Sequence, residues 1–319
     1  MTGLRITFAD DEVIEFNAVM GASVLESAEQ SGYALAQNCR SGICRTCVAQ
    51  RPDGSRTFLC QERAEPGFMA RVPYARADLV PATMRKARIN GFALVSPSVW
   101  QLRYRLQFPL AFLPGQYVEL SLPGIEGSRR FSMANAPGDA EHILYIRDIP
   151  QGAVPAYLRE RAKVNDLFSL RGPLGVFYLR RSARPKLFIA GGTGLAPILA
   201  MLRELGRRDI SEPLALVFGV TNAADVFALD EIRALAQKLP LEVVLVAVTA
   251  DAAWSGREGT VVDAMPDLRS FTIDAGIEAY ICGPPGMVAA ARSLLESNGA
   301  DPAHIFNEEF IENPHPVPA

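Results

Sequence analysis

The chain has 319 residues, 49% apolar and 21% charged, enough for two or three domains with ordinary buried cores, and wholesale disorder is excluded. A formal charge of −3 argues against a nucleic-acid binder that works through bulk charge, and three histidines are too few for a His-rich metal centre or relay. The longest uncharged run, Leu187–Leu202, is too short to span a bilayer and is interrupted by Gly191, Gly192, Gly194 and Pro197, so no membrane role is expected. Asp10, Asp11 and Glu12 come early, where a secretory signal needs an apolar stretch, so a cytoplasmic location is expected.

In chain order, Leu4, Ile6 and Phe8 alternate with polar residues, and Val13, Ile14 and Phe16 follow an acidic turn; this predicts a hairpin. Ser23-Val24-Leu25-Glu26 has the spacing of a capping box, and Gly32 closes the short helix that it opens. Val48–Arg51 and Thr57–Cys60 can pair around Pro52-Asp53-Gly54. Pro73–Arg88 has mixed charge and weak periodicity and reads as a linker.

Between Ile89 and about Leu179, strands separated by Gly/Pro turns are expected, among them Leu102/Tyr104/Leu106, Tyr117–Leu122 and Ile143–Arg147. Short strands at regular spacing predict a small antiparallel barrel. After Pro185, strand-length apolar runs at Leu187–Ala190, Leu214–Gly219, Val243–Val248 and Ala279–Cys282 alternate with helical-period segments such as Ile198–Leu205 and Met287–Leu295. That alternation predicts a doubly wound parallel sheet. The expected fold is therefore multidomain: an α+β unit over 1–78, an antiparallel β-barrel over 86–182 and an α/β unit over 185–319.

Four of the five cysteines lie between Cys39 and Cys60. An odd total clustered in this way fits a reducing compartment and a thiolate metal site better than a disulfide framework. Cys39, Cys44 and Cys47 have the spacing C-x4-C-x2-C, and Cys60 follows after twelve residues. This is the plant-type arrangement of thiolates around a [2Fe–2S] cluster. Zinc is a second reading, although zinc ribbons show two C-x2-C knuckles and this loop has one. The loop resembles that of the plant-type ferredoxins, which implies a β-grasp fold for the first domain. It departs from them in a short final gap and in Arg45, where glycine is usual.

Arg129-Arg130-Phe131-Ser132 is a weak pattern alone. It gains weight from Pro114-Gly115-Gln116-Tyr117 before it, and from Tyr145-Ile146-Arg147, Gly152-Ala153-Val154 and Gly172-Pro173-Leu174-Gly175 after it. In this order the segments resemble the flavin domain of the ferredoxin–NADP reductase superfamily. The resemblance implies that Arg129 pairs with phosphate, Phe131 packs along FAD and Ser132 sets its hydroxyl near the flavin N5. It also implies that Ile146 and Arg147 hold flavin and phosphates, and that Gly152, Ala153 and Val154 bring backbone to the pyrophosphate. Pro155 replaces a usual Ser or Thr, removing a hydroxyl and an N–H there, so FMN stays open as the flavin.

Gly191-Gly192-Thr193-Gly194-Leu195-Ala196-Pro197 follows an apolar strand and opens a helix, which suits a pyrophosphate on the helix N-terminus. It matches the same superfamily's glycine turn, so Gly192, Thr193 and Gly194 are expected to bind the dinucleotide. Cys282-Gly283-Pro284-Pro285 resembles the family's segment beside the nicotinamide, with Cys282 positioning the ring. Glu308-Glu309-Phe310 resembles its C-terminal segment, with Glu308 near the reacting centre and Phe310 over the flavin. Pro213–Ile232 contains no Lys or Arg to meet a 2′-phosphate, while Asp225 can accept from a ribose hydroxyl, so NADH is expected over NADPH.

A nicotinamide gives two electrons together, a cluster takes one, and a flavin handles both. The expected reaction therefore runs from NADH through FAD and [2Fe–2S] to an external acceptor. The domain order resembles reductase components of bacterial aromatic-ring-hydroxylating oxygenases, such as naphthalene and benzoate dioxygenase reductases. That resemblance implies a terminal oxygenase or a ferredoxin as partner. A diiron monooxygenase reductase is built from the same parts, a free-standing flavin reductase needs no cluster domain, and a zinc-stabilised non-enzymatic module is the remaining alternative. Residues 39–63 carry a local net charge of +3, against −5 for residues 1–31. A basic rim near the cysteines is expected to steer an acidic patch on the partner.

Overall fold

The computed structural model describes residues 3–37, 40–42, 46–269 and 271–310. The chain divides into two compact units, one of residues 1–83 with 173–176, the other of 84–172 and 177–319.

In the first unit, β1 (Gly3–Thr7) and β2 (Val13–Asn17) form the expected hairpin, with Leu4 opposite Phe16 and Ile6 opposite Ile14. Helix α1 (Val24–Gln30) starts at the capping box. The Ser23 hydroxyl accepts from the Glu26 N–H at 3.2 Å, and the Ser23 N–H donates to the Glu26 carboxylate at 2.7 Å. The strands β3 (Val48–Gln50) and β4 (Arg56–Phe58) make the second hairpin, and β5 (Met69–Arg71) runs parallel to β1. The sheet order is β2-β1-β5-β3-β4, a mixed sheet crossed by one helix, as in a β-grasp fold. Leu4, Ile6, Phe8, Val24 and Leu25 are its buried centre.

The linker is shorter than the sequence suggests. Strand β6 spans Thr83–Ser96 and so begins inside the stretch read as connecting chain. Thr83–Arg88 alternate in burial, but the inward positions are Thr83, Arg85 and Ala87 and the exposed ones include Met84, so the sequence shows no apolar period there.

The second unit joins two modules. In the first, β6, β7 (Val99–Leu106), β8 (Tyr117–Ser121), β9 (Arg129–Ser132), β10 (His142–Arg147) and β11 (Leu167–Leu174) form a sheet in the order β10-β7-β6-β11-β8-β9. An antiparallel bridge between Met133 and Leu144 brings the two edge strands together and curls the sheet into a barrel. Ile89, Leu102, Tyr104, Val118, Leu144 and Leu170 fill it. Helix α2 (Ala153–Glu160) follows β10; Gly152 is its N-cap and supplies no side-chain cap.

The second module contains β12 (Lys186–Gly191), α3 (Leu195–Leu205), β13 (Leu214–Asn222), α4 (Leu229–Lys238), β14 (Leu241–Thr249), β15 (Arg257–Glu258), α5 (Val261–Ala264), β16 (Glu278–Gly283), α6 (Pro285–Ser297) and β17 (Ile305–Glu309). All six strands are parallel, in the order β15-β14-β13-β12-β16-β17. Alternate strand residues enter different cores. Phe188, Leu216 and Phe218 pack with α3 and α4, whereas Leu187, Ile189 and Val217 pack with α5 and α6. Val99, Ala134 and Tyr145 of the barrel belong to the first of these cores, so the two modules share buried apolar surface. Among the described residues no helix is long and apolar enough to cross a membrane.

Candidate active site

Ser132 ends β9 and Glu308 lies near the end of β17, yet the Ser132 hydroxyl donates to the Glu308 carboxylate at 3.4 Å. In the β16–β17 register Glu308 sits beside Cys282, and the Phe310 N–H donates to the Gly283 carbonyl at 3.0 Å. Thus Ser132, Cys282, Glu308 and Phe310 converge from the barrel and the parallel sheet. Burial pushes the Glu308 carboxyl up to about 8, while the Ser132 hydroxyl and the Arg130 guanidinium draw it down. Burial also pushes the fully buried Cys282 thiol well up, and Glu308 adds to the effect. Cys282 is therefore a neutral thiol at physiological pH rather than a nucleophile.

The glycine turn after β12 is fixed by close contacts. A Cβ on Gly194 would lie 2.2 Å from the Cys282 carbonyl oxygen and 3.1 Å from the Gly283 N, so this residue lets the two loops touch. Gly192 differs: its φ is +54 and open space surrounds its missing side chain. Gly283 ends β16, and Pro284 after it is the N-cap of α6. The turn Gly192-Thr193-Gly194 therefore opens α3 beside the Cys282 loop.

The remaining flavin-segment residues are placed unevenly. The Arg129 guanidinium donates to the carbonyls of Glu126 and Ser128 at 3.3 and 3.0 Å. Phe131 is half-buried against the barrel core. Ile146 is buried in that core, so its side chain packs inward and only its backbone can face a ligand. Arg147 is exposed. Gly152 precedes α2, and Ala153 and Val154 are its first residues; Pro155 lies in the first turn without breaking the helix. Asp225 follows β13 and accepts from the Ser98 hydroxyl at 2.7 Å and from the Asn222 amide at 3.3 Å.

In the first unit, the Cys47 and Cys60 sulfurs are 3.2 Å apart and no disulfide joins them. The Gln61 amide donates to the Cys60 sulfur at 3.8 Å and to the Arg40 carbonyl at 2.9 Å. Cys39 and Cys44 lie outside the described residues. Two converging thiols with an amide N–H at sulfur fit a thiolate-bound cluster.

Residues 8–70 match the 2Fe-2S iron-sulfur cluster binding domain, residues 86–178 the oxidoreductase FAD-binding domain and residues 188–293 the oxidoreductase NAD-binding domain. Over 97% of its length the chain is 33% identical to the toluate 1,2-dioxygenase electron transfer component of Pseudomonas putida, covering 99% of that protein. It belongs to this family of iron–sulfur flavoprotein reductases. It is also 32% identical to the reductase component of the naphthalene 1,2-dioxygenase system of Pseudomonas putida, over 94% of this chain and 96% of the other. Among solved structures it is similar to the Amycolatopsis cytochrome P450 reductase GcoB, with TM-score 0.74 and 26% identity over 96% of this chain and 98% of that one. The ferredoxin reductase of carbazole 1,9a-dioxygenase is similar with TM-score 0.71 and 26% identity, over 97% of this chain and 98% of that one.

As a reductase of this family the chain is an oxidoreductase that uses FAD, a [2Fe–2S] cluster and NADH. The cluster and FAD therefore replace the zinc and FMN readings of the residues alone.

Sequence reasoning missed three groups. Ser98 stands in a turn and is tied to Asp225 only through the fold. Glu119 is a lone acid in the otherwise apolar Tyr117–Leu122, which was the available signal for a buried charge; its partners are Arg130 and Arg171. Gln61 follows the last cysteine and carries no motif.

Proposed function

We propose that this reductase oxidises NADH at the Ser132–Glu308–Cys282 junction and passes electrons singly, through its cysteine-loop domain, to a separate oxygenase component or that component's ferredoxin. The observation that carries this reading is the Ser132–Glu308 hydrogen bond, which joins the flavin-domain motif to the end of the nicotinamide-domain sheet. When bound, FAD accepts the hydride of NADH and the cluster relays the electrons one at a time.

The chain's own residues have these roles. Ser132 offers a hydroxyl to the reacting edge of the flavin, with its orientation held by Glu308. Cys282 supplies a neutral, apolar wall for the nicotinamide. Phe131 and Phe310 pack on the flavin, and Ile146 contributes backbone. Arg129 and Arg147, with the first N–H groups of α2 at Gly152, Ala153 and Val154, hold the phosphates; Arg147 makes no ion pair among the described residues. Gly192, Thr193 and Gly194 cradle the pyrophosphate of NADH, with Gly283 and Pro284 closing the nicotinamide side. Asp225, oriented by Ser98, accepts from the adenosine ribose and disfavours a 2′-phosphate. Cys39, Cys44, Cys47 and Cys60 hold the cluster. The modules divide at 1–78, 86–182 and 185–319.

Two ion pairs revise the acceptor surface. Arg40 is paired with Glu29 at 2.7 Å, an acid outside residues 39–63 that offsets one charge of the rim, while the partner of Arg51, Glu62 at 2.6 Å, is already counted in the +3. Among the described residues, attraction of an acidic partner then falls chiefly to Arg56 and Arg63. Rapid mixing tests the scheme. NADH bleaches the flavin before the cluster signal appears, NADPH does so with a much weaker apparent affinity, and an oxygenase component reoxidises the protein more slowly as salt rises. A preference for NADPH, or reoxidation indifferent to salt, rejects the corresponding part. Offering dioxygenase and diiron hydroxylase components side by side identifies the acceptor class.

A further inference from the structure

The second residue of Arg129-Arg130-Phe131-Ser132 has no part in the scheme above, but it is embedded in a charge network beside the reacting centre. Arg130 and Ser132 are two apart on β9, so both side chains leave the same side of the strand. Opposite them on β8 stand Glu119 and Tyr117. Glu119 is only 6% exposed, a strong desolvation for a carboxylate, and it is held by two cations. The Arg130 Nε lies 3.3 Å from one oxygen and the Arg171 Nη1 3.4 Å from the other. β11, β8 and β9 are neighbours in the sheet, so the three charges form a row across it.

Glu308 meets the same strand two residues on from Arg130, at Ser132. From β9, Ser132 donates to its carboxylate and Arg130 attracts it; from β16, the neutral Cys282 thiol is its neighbour in register. Among the described residues those are the titratable or charged groups that act on it. Arg130 therefore acts on two carboxylates, Glu119 in direct contact and Glu308 through its charge.

We infer that Arg130 is a positioning residue whose positive charge, rationed by the buried Glu119, governs how readily Glu308 ionises and so how firmly Glu308 holds the Ser132 hydroxyl. The inference rests on the reading of Ser132 and Glu308 as the reacting centre. An ionised Glu308 accepts the Ser132 proton in a hydrogen bond and fixes the hydroxyl with its lone pairs outward; a protonated one competes as a donor. Taking charge from Arg130 favours the protonated form. Removing the Glu119 charge leaves more of the Arg130 charge to act on Glu308 and favours the ionised form.

The test is infrared titration of the FAD-loaded protein. The protonated-carboxyl band of Glu308 is assigned by its loss in Glu308→Gln. In Arg130→Gln the midpoint of that band rises by about one pH unit, and in Glu119→Gln it falls by about as much. Arg130→Lys, which keeps the charge, stays near the wild type. If Arg130→Gln does not fold, Arg130→Met keeps the stem's packing and removes the same charge. An unchanged midpoint in the neutral variant, or the same shift in Arg130→Lys, overturns the inference. Failure of the underlying reading shows up elsewhere: Ser132→Ala then reduces its flavin with NADH at the wild-type rate, whatever the carboxyl titration does.

Discussion

Adding one methyl group at Gly194 tests the contact between the glycine turn and the Cys282 loop. The new Cβ would sit 2.2 Å from the Cys282 carbonyl oxygen and 2.6 Å from its carbonyl carbon, where ordinary contact begins at 3.4 Å. All three nearest atoms are backbone, one of them in the next residue, so no side chain can rotate away. The loops must separate by about an ångström, against the hydrogen-bonded pairing of β12 with β16. Overpacking of this kind costs about 3 kcal/mol. For a unit of this size that corresponds to a fall in melting temperature of about 6–12 °C. Gly192→Ala is the internal control. It meets no atom within 4 Å, and only its φ of +54 resists a side chain, a cost of about 1 kcal/mol. Thermal melts followed by flavin release, together with the NADH concentration dependence of flavin reduction, read both effects. Gly194→Ala should melt lower than Gly192→Ala and bind NADH more weakly. If Gly194→Ala melts with the wild type, or no lower than Gly192→Ala, the close approach is not what makes glycine necessary.

Cys60→Ser should lose the cluster absorbance while flavin bleaching by NADH proceeds at its normal rate; reduction of an acceptor protein then drops to background, and retained reduction would show that electrons leave from the flavin. Ser23→Ala removes the hydroxyl half of the capping box on α1 and keeps the backbone N–H to Glu26, a loss of about 1 kcal/mol, seen as earlier bleaching of the cluster band on heating. His142 stacks on Tyr104 at 5.1 Å inside the barrel, and burial pushes it down to about 4 from 6.5. The unfolded chain therefore binds the extra proton first, so stability is lost as pH falls from 6.5 towards 4. Urea midpoints at pH 7 and pH 5 should differ less in His142→Phe than in the wild type, and an equal difference refutes the assignment. Glu308 acts in the other direction: its pKa is raised from 4.5 to about 8, so its contribution favours the fold at low pH and fades as pH rises through that window.

The chemistry was more legible than its supports. The cysteine spacing, the glycine turn and the capping box are local patterns, and each of the described portions appears where its residue types demand it. Helix α4 left no such mark. Its N-cap, Ala228, has φ 57 and supplies no side-chain cap, so neither a capping residue nor a glycine announces the start. Strand β17 is hidden because Asn307, Glu308 and Glu309 are polar; they follow Ile305 and Phe306, and tertiary pairing with β16 makes them a strand. Ser98 and Asp225 are 127 positions apart and meet only because the barrel and the parallel sheet pack together. No single-sequence period reports such a pairing. Ser132, Cys282, Glu308 and Phe310, each carried by a family segment, fall together, whereas Ser98, which holds Asp225, lies in no such segment.

The far end of α3 gives the junction a mechanical character. Arg203 donates to the Ala134 carbonyl at 2.7 Å and to Glu231 at 2.8 Å, and Arg207 donates to the Pro137 carbonyl at 2.6 Å. Ala134 is two residues beyond Ser132, and α3 begins at the turn that ends in Gly194. One helix therefore acts as a strut, with one end at the glycine turn and the other tied to the backbone just beyond Ser132. The glycine turn and the serine therefore belong to one compact unit, and the spacing between them is set as that unit folds.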